Sequence, residues 1–210
     1  PSAFQALRRR IFPRLVKQRP PGSPIRIWVP GCATGEEVYS LAICLHEFLG
    51  KNRSNKAIQI FGTDISETMV ARSRSGVYPR SIEAQVSPDR MRRYFQKTNN
   101  GHYQISKFIR DVCIFARQNV AEDPPFSKLD LISCRNLLIY LGLPLQKKVL
   151  PTFHYSLRPG GFLMLGTSET IGTFSNLFSL VDKRNKIYVR NEAYSRPEVD
   201  FAPGASAETG

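Results

Sequence analysis

Ile25-Arg-Ile-Trp-Val29-Pro-Gly-Cys-Ala-Thr-Gly35-Glu-Glu37 opens the stretch, running on to Leu49, whose reading decides the fold. Residues 25–29 are β-branched and aromatic at four of five positions, the composition of a buried strand. Gly31 and Gly35 then let the backbone turn tightly and approach a ligand without Cβ obstruction. From Glu36 on, Val38, Leu41, Ala42, Leu45 and Phe48 recur on one helical face, which Ile43 and Cys44 widen, so the spacing predicts a deeply packed helix. Strand, glycine turn and helix together form the opening unit of a parallel sheet covered by helices.

The same alternation extends outward. Downstream, 57–62 reads as a strand ending at Thr63-Asp64, and Ser66 caps a helix to about Ser75 that Gly76-Val-Tyr-Pro79 breaks. A short helix is predicted over 87–95, strands over 102–105 and 111–116, and short apolar strands over 129–133, 162–166 and 187–189. A helix over 145–157 carries Pro151, which distorts its middle, and stops at Arg158-Pro-Gly-Gly161. Upstream, Ser2 as N-cap and the spacing of Phe4, Leu7, Ile11 and Leu15 predict a helix over 2–18 that Pro13 kinks or shortens. The reading is an α/β protein with a mostly parallel sheet, helices on both faces, and a small antiparallel insertion near 95–117. Residues 1–24 form a helix and stiff linker, 25–190 the main domain, and 191–210 a disordered linker.

The chain has 210 residues and a formal charge of +13, with 41% hydrophobic and 22% charged residues, which fits one ordinary folded domain and excludes wholesale disorder. No apolar run approaches the roughly 18 residues of a membrane span. No secretory leader pattern opens the chain, and Cys32, Cys44, Cys113 and Cys134 form no C-x-x-C pair, which points to reduced thiols, a cytoplasmic setting and no metal site. The basic excess is patchy. Residues 1–24 hold Arg8, Arg9, Arg10, Arg14, Lys17 and Arg19 with no acid, and 72–117 hold ten basic residues against Glu83, Asp89 and Asp111. The partners such patches suit are phosphates or acidic protein.

In a doubly wound sheet, ligands bind beyond the C-terminal strand ends, where strand order reverses. Four strand ends carry candidate residues. The loop Gly31-Cys32-Ala33-Thr34-Gly35 lacks both the dinucleotide fingerprint and the Lys-Ser/Thr of a phosphate loop. The acids Glu36 and Glu37 would repel a pyrophosphate and suit an ammonium or sulfonium ligand. The alternative for Thr34 and Glu37 is a capping box that merely starts the helix. Asp64 stands where an acid takes both ribose hydroxyls of an adenosine, or it is only a helix-start charge. Asn119 either offers an amide to an adenine edge or closes an Asx turn. In Cys134-Arg-Asn-Leu-Leu-Ile-Tyr140, Arg135 suits a carboxylate or bridges an acid of the sheet edge, and Tyr140 is either functional or core. Ser168-Glu169 either borders the same crevice or caps a turn.

Six motifs in this order carry a family resemblance: Trp28-Val-Pro-Gly-Cys-Ala-Thr-Gly-Glu-Glu-Val-Tyr-Ser40, Gly62-Thr-Asp-Ile65, Ser75-Gly-Val-Tyr78, Arg93-Tyr-Phe95, Cys134–Tyr140 and Gly166-Thr-Ser-Glu169. Over about residues 2–190 the chain resembles the C-terminal domain of the chemotaxis receptor methyltransferases (CheR type), a Rossmann-like fold. The resemblance implies S-adenosylmethionine as cofactor, S-adenosylhomocysteine as product, and methylation of glutamate side chains on receptor cytoplasmic helices. It implies that Gly31, Cys32, Ala33, Thr34, Gly35, Glu36 and Glu37 meet the methionine part, Asp64 the ribose, and Asn119 with Val120 the adenine. Arg135 and Asn136 would border the cofactor, and Tyr140 with Arg135 would serve the transfer itself. The insertion matches a small β-subdomain that docks acidic receptor tails in some members.

The family's N-x-T-x-F-F-R stretch, which adds an arginine to the active site, lies before the point where this chain begins. The expectation is a piece of a longer, multidomain signalling protein, whose other domains are partners. The rival reading is a catalytically incomplete domain that binds cofactor or docks receptor. A nucleic-acid methyltransferase ranks last, since no aromatic-interleaved basic stretch is present.

Overall fold

Two sheets are built from these segments. In the structure, a computed structural model, residues 2–20, 22–50 and 57–192 are described. Pro1, Pro21 and the linker expected beyond 192 lie outside the described residues. In chain order the strands are β1 (Ile25–Pro30), β2 (Ile58–Asp64), β3 (Val77–Tyr78), β4 (Phe95–Lys97), β5 (Tyr103–Ile105), β6 (Cys113–Arg117), β7 (Leu129–Cys134), β8 (Leu157–Leu165), β9 (Phe178–Asp182) and β10 (Ile187–Arg190). The helices are α1 (Ser2–Ala6), α2 (Phe12–Lys17), α3 (Glu36–Leu49), α4 (Glu67–Ser75), α5 (Pro88–Tyr94), α6 (Lys107–Arg110) and α7 (Leu143–Ser156).

The main sheet runs β6-β2-β1-β7-β8-β10-β9, parallel from β6 to β8, with β10 antiparallel to both neighbours. This is the expected doubly wound architecture. The antiparallel insertion differs in extent from the sequence reading. The small sheet is β3-β5-β4, drawn from 77–105, whereas β6 pairs with β2 on the edge of the main sheet. Three- and two-residue strands carry too little periodicity to be separated from turns, so 113–117 looked like part of the hairpin.

Strand alternation divides the core. Ile25, Ile27 and Val29 of β1 pack with Leu41 and Leu45 of α3 and with Leu7, Ile11, Phe12 and Leu15 on one face. Trp28 turns to the other face, where its ring meets Phe153 of α7 edge-on at 5.5 Å. The same division recurs at Ile60 and Phe61, Leu131 and Ile132, and Phe162 and Leu163. Trp28 is fully buried, and its indole N–H donates to Thr63 Oγ1 at 2.9 Å, which satisfies the one polar atom it carries.

Pro13 neither breaks nor ends the N-terminal helix. A π-turn at Leu7–Ile11, closed by the Phe12 N–H on the Leu7 carbonyl, inserts one residue ahead of the ring. Pro13 then falls in the first turn of α2, where its missing N–H costs nothing. The extra residue also places Ile11 and Phe12 side by side in the core while Arg8, Arg9 and Arg10 stay exposed.

At the opposite end of the sheet from the strand C-termini, Asp130 of β7 ties three segments together. It accepts from the Arg26 N–H at 2.7 Å and from the guanidinium of Arg19, and Arg158 Nε lies 3.2 Å away. The side chains of Arg19 and Asp130 are 3% and 1% exposed, so this pair is held out of water. Burial raises the Asp130 carboxyl pKa and lowers that of Arg19, against the attraction between them.

Candidate active site

Strand order reverses between β1 and β7: β2 and β6 extend one way from β1, β7 and β8 the other. Above their C-terminal ends lies a cleft of about 470 Å³ lined by Val29, Gly31, Cys32, Ala33, Glu36, Glu37, Asp64, Arg135, Asn136, Leu137 and Tyr140. That volume lies within the range of cofactor sites. Nine of the residues proposed from sequence meet here.

The glycine loop is held in an unusual conformation. Gly31 has φ +66°, and a Cβ there would sit 3.0 Å from Leu137. Gly35, at φ +87°, is the N-cap of α3, and a Cβ would press on Ser73 at 3.1 Å. Between them Ala33 adopts φ +47°. Hydrogen bonds offset that strain: Ala33 N–H donates to Asp64 Oδ2 at 2.9 Å, and its carbonyl accepts from Ser73 Oγ at 2.8 Å. Tyr78 of β3 donates its hydroxyl to the Thr34 carbonyl at 2.9 Å, so the small sheet braces the loop.

The capping box does not form. Gly35 occupies the N-cap, Thr34 Oγ1 donates to Glu36 at 2.6 Å, and Glu37 is released into the cleft. There Glu37 accepts from Ser133 Oγ of β7 and from Arg135 Nη1 at 3.2 Å, spanning the β1–β7 switch point. Burial pushes the Glu37 carboxyl above its ordinary range, opposed by the Ser133 hydroxyl and the Arg135 guanidinium. Cys32 lines the cleft as a buried thiol, which burial pushes up to about 11, so it remains protonated at neutral pH. Asp64 accepts from Ala33 N–H and from Ser66 N–H at 2.9 Å, one bond per oxygen, which leaves each oxygen a free acceptor position.

Thr34, Gly35, Asn119 and Val120 do not line the cleft. Asn119 forms the Asx turn: its Oδ1 accepts from Ala121 N–H at 3.1 Å and its amide donates to Glu122 at 2.8 Å. Its side chain is thereby occupied locally. Gln118 N–H donates to the Asp64 carbonyl at 3.0 Å, which places the 119–120 backbone beside the Asp64 end of the cleft.

Sequence reasoning missed Val29 and Leu137 as lining and Ser133 as a partner of Glu37. The role of Glu169 is larger than either reading of it. This 4%-exposed carboxylate accepts the N–H groups of Asn136, Leu137, Leu138 and Gly166, at 3.0, 2.9, 2.8 and 2.6 Å. It fixes the loop that carries Arg135 and Tyr140, including Asn136 at φ +59°. A Glu three residues past a strand-ending Gly166 was the available signal.

The donor set fits an adenosine-type ligand bearing a positive charge. Three carboxylates, Glu36, Glu37 and Asp64, line the cleft against one guanidinium, and one of them stands at the β2 end with free acceptors for a diol. A doubly wound sheet with such an acidic crevice at its switch point defines the Rossmann-like class of nucleoside-cofactor proteins. Residues 1–187 match the family described as "CheR methyltransferase, SAM binding domain". The chain belongs to that family, and its cofactor is S-adenosylmethionine.

Among relatives, the chain is 34% identical over 204 residues to an uncharacterized 104.1 kDa protein of Rhodobacter capsulatus, covering 97% of this chain and 21% of that protein. It is 32% identical over 182 residues to chemotaxis protein methyltransferase 1 of Pseudomonas aeruginosa, covering 85% and 66%. The chain thus spans less than two thirds of the length of either. A TehB-like SAM-dependent methyltransferase from Corynebacterium glutamicum superposes with TM-score 0.46 at 13% identity, over 85% of this chain and 84% of that one. Among the described residues no helix is long and apolar enough to cross a membrane, and no cluster of three or more potential metal ligands occurs.

Proposed function

We propose that this domain transfers a methyl group from S-adenosylmethionine to a glutamate side chain of a chemotaxis-type receptor. The observation that carries the reading is the acidic cleft at the switch point, with Asp64 at one end and the exposed Tyr140 hydroxyl at its mouth. Bound S-adenosylmethionine supplies an electrophilic methyl on a sulfonium centre. Asp64 takes the ribose hydroxyls through its two free acceptor positions. Glu37 and Glu36 hold the methionine ammonium, the backbone of Asn119 and Val120 borders the adenine, and Arg135 with Asn136 holds the methionine carboxylate. A glutamate is ionised at neutral pH, so its attack needs no general base. What remains for the protein is positioning and exclusion of water. Tyr140 orients the incoming carboxylate.

Titration with S-adenosylhomocysteine tests the assignment. Asp64→Ala removes two hydrogen bonds to a charged acceptor, so affinity falls about a hundredfold or more. Binding indifferent to Asp64, or absent from the wild type, rejects the cofactor site.

The Glu37 carboxyl predicts a pH dependence. Its raised pKa brings protonation closer to neutrality, and the protonated form no longer attracts an ammonium. Affinity for S-adenosylhomocysteine therefore declines as pH falls below neutrality, starting at a higher pH than an unburied glutamate would give, and Glu37→Gln lowers the plateau and flattens the decline. Calorimetry across this range checks it; an equal decline in the variant would remove Glu37 from the ammonium site.

A further inference from the structure

No residue of the small sheet β3-β5-β4 lines the cleft, yet one of its side chains reaches the loop that does. Tyr78 is 6% exposed. Its backbone is fixed by pairing with Tyr103 of β5, and its ring stands edge-on to Tyr39 of α3 at 6.3 Å. The hydroxyl is thereby aimed at the Thr34 carbonyl, to which it donates at 2.9 Å. Burial raises the Tyr78 phenol above its ordinary range, so the hydroxyl keeps its proton near neutral pH.

The Thr34 carbonyl has no place in the helix that follows. The ladder of α3 starts one residue later, where Tyr39 N–H donates to the Gly35 carbonyl at 3.1 Å. The other end of the same peptide unit is also engaged: Gly35 N–H donates to the Cys32 carbonyl at 2.8 Å and closes a turn over Cys32–Gly35. A peptide unit is planar, so fixing its carbonyl and its N–H fixes its orientation. The turn carries Ala33 at φ +47°, a conformation that a free segment of this composition rarely visits. It directs Ala33 N–H onto Asp64 Oδ2 and places Cys32 and Ala33 on the cleft wall. Packing between β3 and the first turn of α3 is incomplete, since Glu36, Tyr39 and Tyr78 border a second cavity of about 360 Å³. Hydrogen bonds rather than close packing therefore hold the turn on that side.

We propose that Tyr78 is a positioning residue for the cofactor: its hydroxyl sets the Thr34–Gly35 peptide, and with it the Cys32–Gly35 turn, in the binding conformation before the cofactor arrives. This rests on the reading of the acidic cleft as the cofactor site. It makes the small sheet a determinant of cofactor affinity without any contact to the cofactor. Once the hydroxyl is gone, the strained turn relaxes, only a fraction of molecules hold the loop ready, and affinity falls by that fraction.

The test is Tyr78→Phe, which keeps the ring and removes the hydroxyl, titrated calorimetrically with S-adenosylhomocysteine beside the wild type, Asp64→Ala and Tyr39→Phe. Tyr39→Phe is the matched control, because it deletes another buried hydroxyl, one that donates to the Ser73 carbonyl at 2.7 Å. Affinity falls about tenfold in Tyr78→Phe and less than about threefold in Tyr39→Phe. Amide hydrogen exchange supplies a readout that a general loss of stability would not move. Without ligand, Gly35 N–H exchanges at least about tenfold faster in Tyr78→Phe relative to the amides of β1, and saturating S-adenosylhomocysteine restores its protection. A fall below about threefold in Tyr78→Phe, an equal fall in both tyrosine variants, or unchanged Gly35 protection overturns the proposal, and a loss in Asp64→Ala then leaves the cofactor site standing. Asp64→Ala binding like the wild type rejects the cleft reading itself, and the positioning role with it.

Discussion

Glu169→Gln lowers the unfolding free energy by about 3 kcal/mol or more and weakens S-adenosylhomocysteine binding at least about tenfold. The wild-type carboxylate takes four backbone N–H groups, two on each oxygen. Glutamine offers one carbonyl oxygen and turns an NH₂ toward two of those donors. Two N–H groups then lose charge-assisted bonds, each worth about 1.5–3 kcal/mol, and face another donor instead. The affinity loss follows because the displaced loop carries Arg135 and Asn136, although Glu169 is absent from the cleft lining. Denaturant midpoints give the first quantity, and calorimetry at a temperature where the variant is folded gives the second. A stability loss without any change in affinity would make Glu169 a fold residue alone.

Asp130→Ala costs about 3–5 kcal/mol, because it leaves the buried Arg19 guanidinium without its counter-charge. The same change removes the acceptor for Arg26 N–H and leaves Arg19, Arg26 and Arg158 to repel one another. The Arg10–Asp182 pair at 3.5 Å is the internal comparison: there the arginine is 60% solvent-accessible and the carboxylate 12%, and removal of the arginine changes stability by less than about 1 kcal/mol. Chemical denaturation of Asp130→Ala beside Arg10→Ala measures both. A loss below about 1 kcal/mol for Asp130→Ala would show that the arginines relax into water.

Much of this was legible in the residues, for reasons that differ by element. α3 matched its predicted bounds because fourteen residues carry a long apolar period and Gly35 stands at its start. The four strand ends were legible because parallel sheets place chemistry there by topology. What failed was local competition. Thr34 and Glu37 satisfy a capping pattern, yet Gly35 in the left-handed region takes the cap, and Ser133, 96 positions away, captures the Glu37 carboxylate. Asn119 went the other way, its side chain consumed by an Asx turn and by Glu122. β9 was missed altogether: Phe178–Asp182 exposes Leu180 and carries no strong alternation, and it becomes a strand through pairing with β10. Pairing partners outside the local pattern decided Glu37 and β9, which local periodicity does not display, whereas Asn119 was settled by neighbours within three positions.

The division of β1 between two cores has a consequence for how the domain can vary. Ile27 and Trp28 are neighbours in the chain, but one belongs beneath α3 and the other beside α7. Exchanging one buried side chain for another of similar size costs little, whereas displacing the strand by a single position would turn every residue into the wrong core at once. The same displacement would carry Gly31 away from Leu137 and Ala33 away from Asp64. In this strand, spelling is negotiable and spacing is not. Drift over time can rewrite its letters while an inserted or deleted codon is purged, which preserves the loop geometry as a by-product of packing.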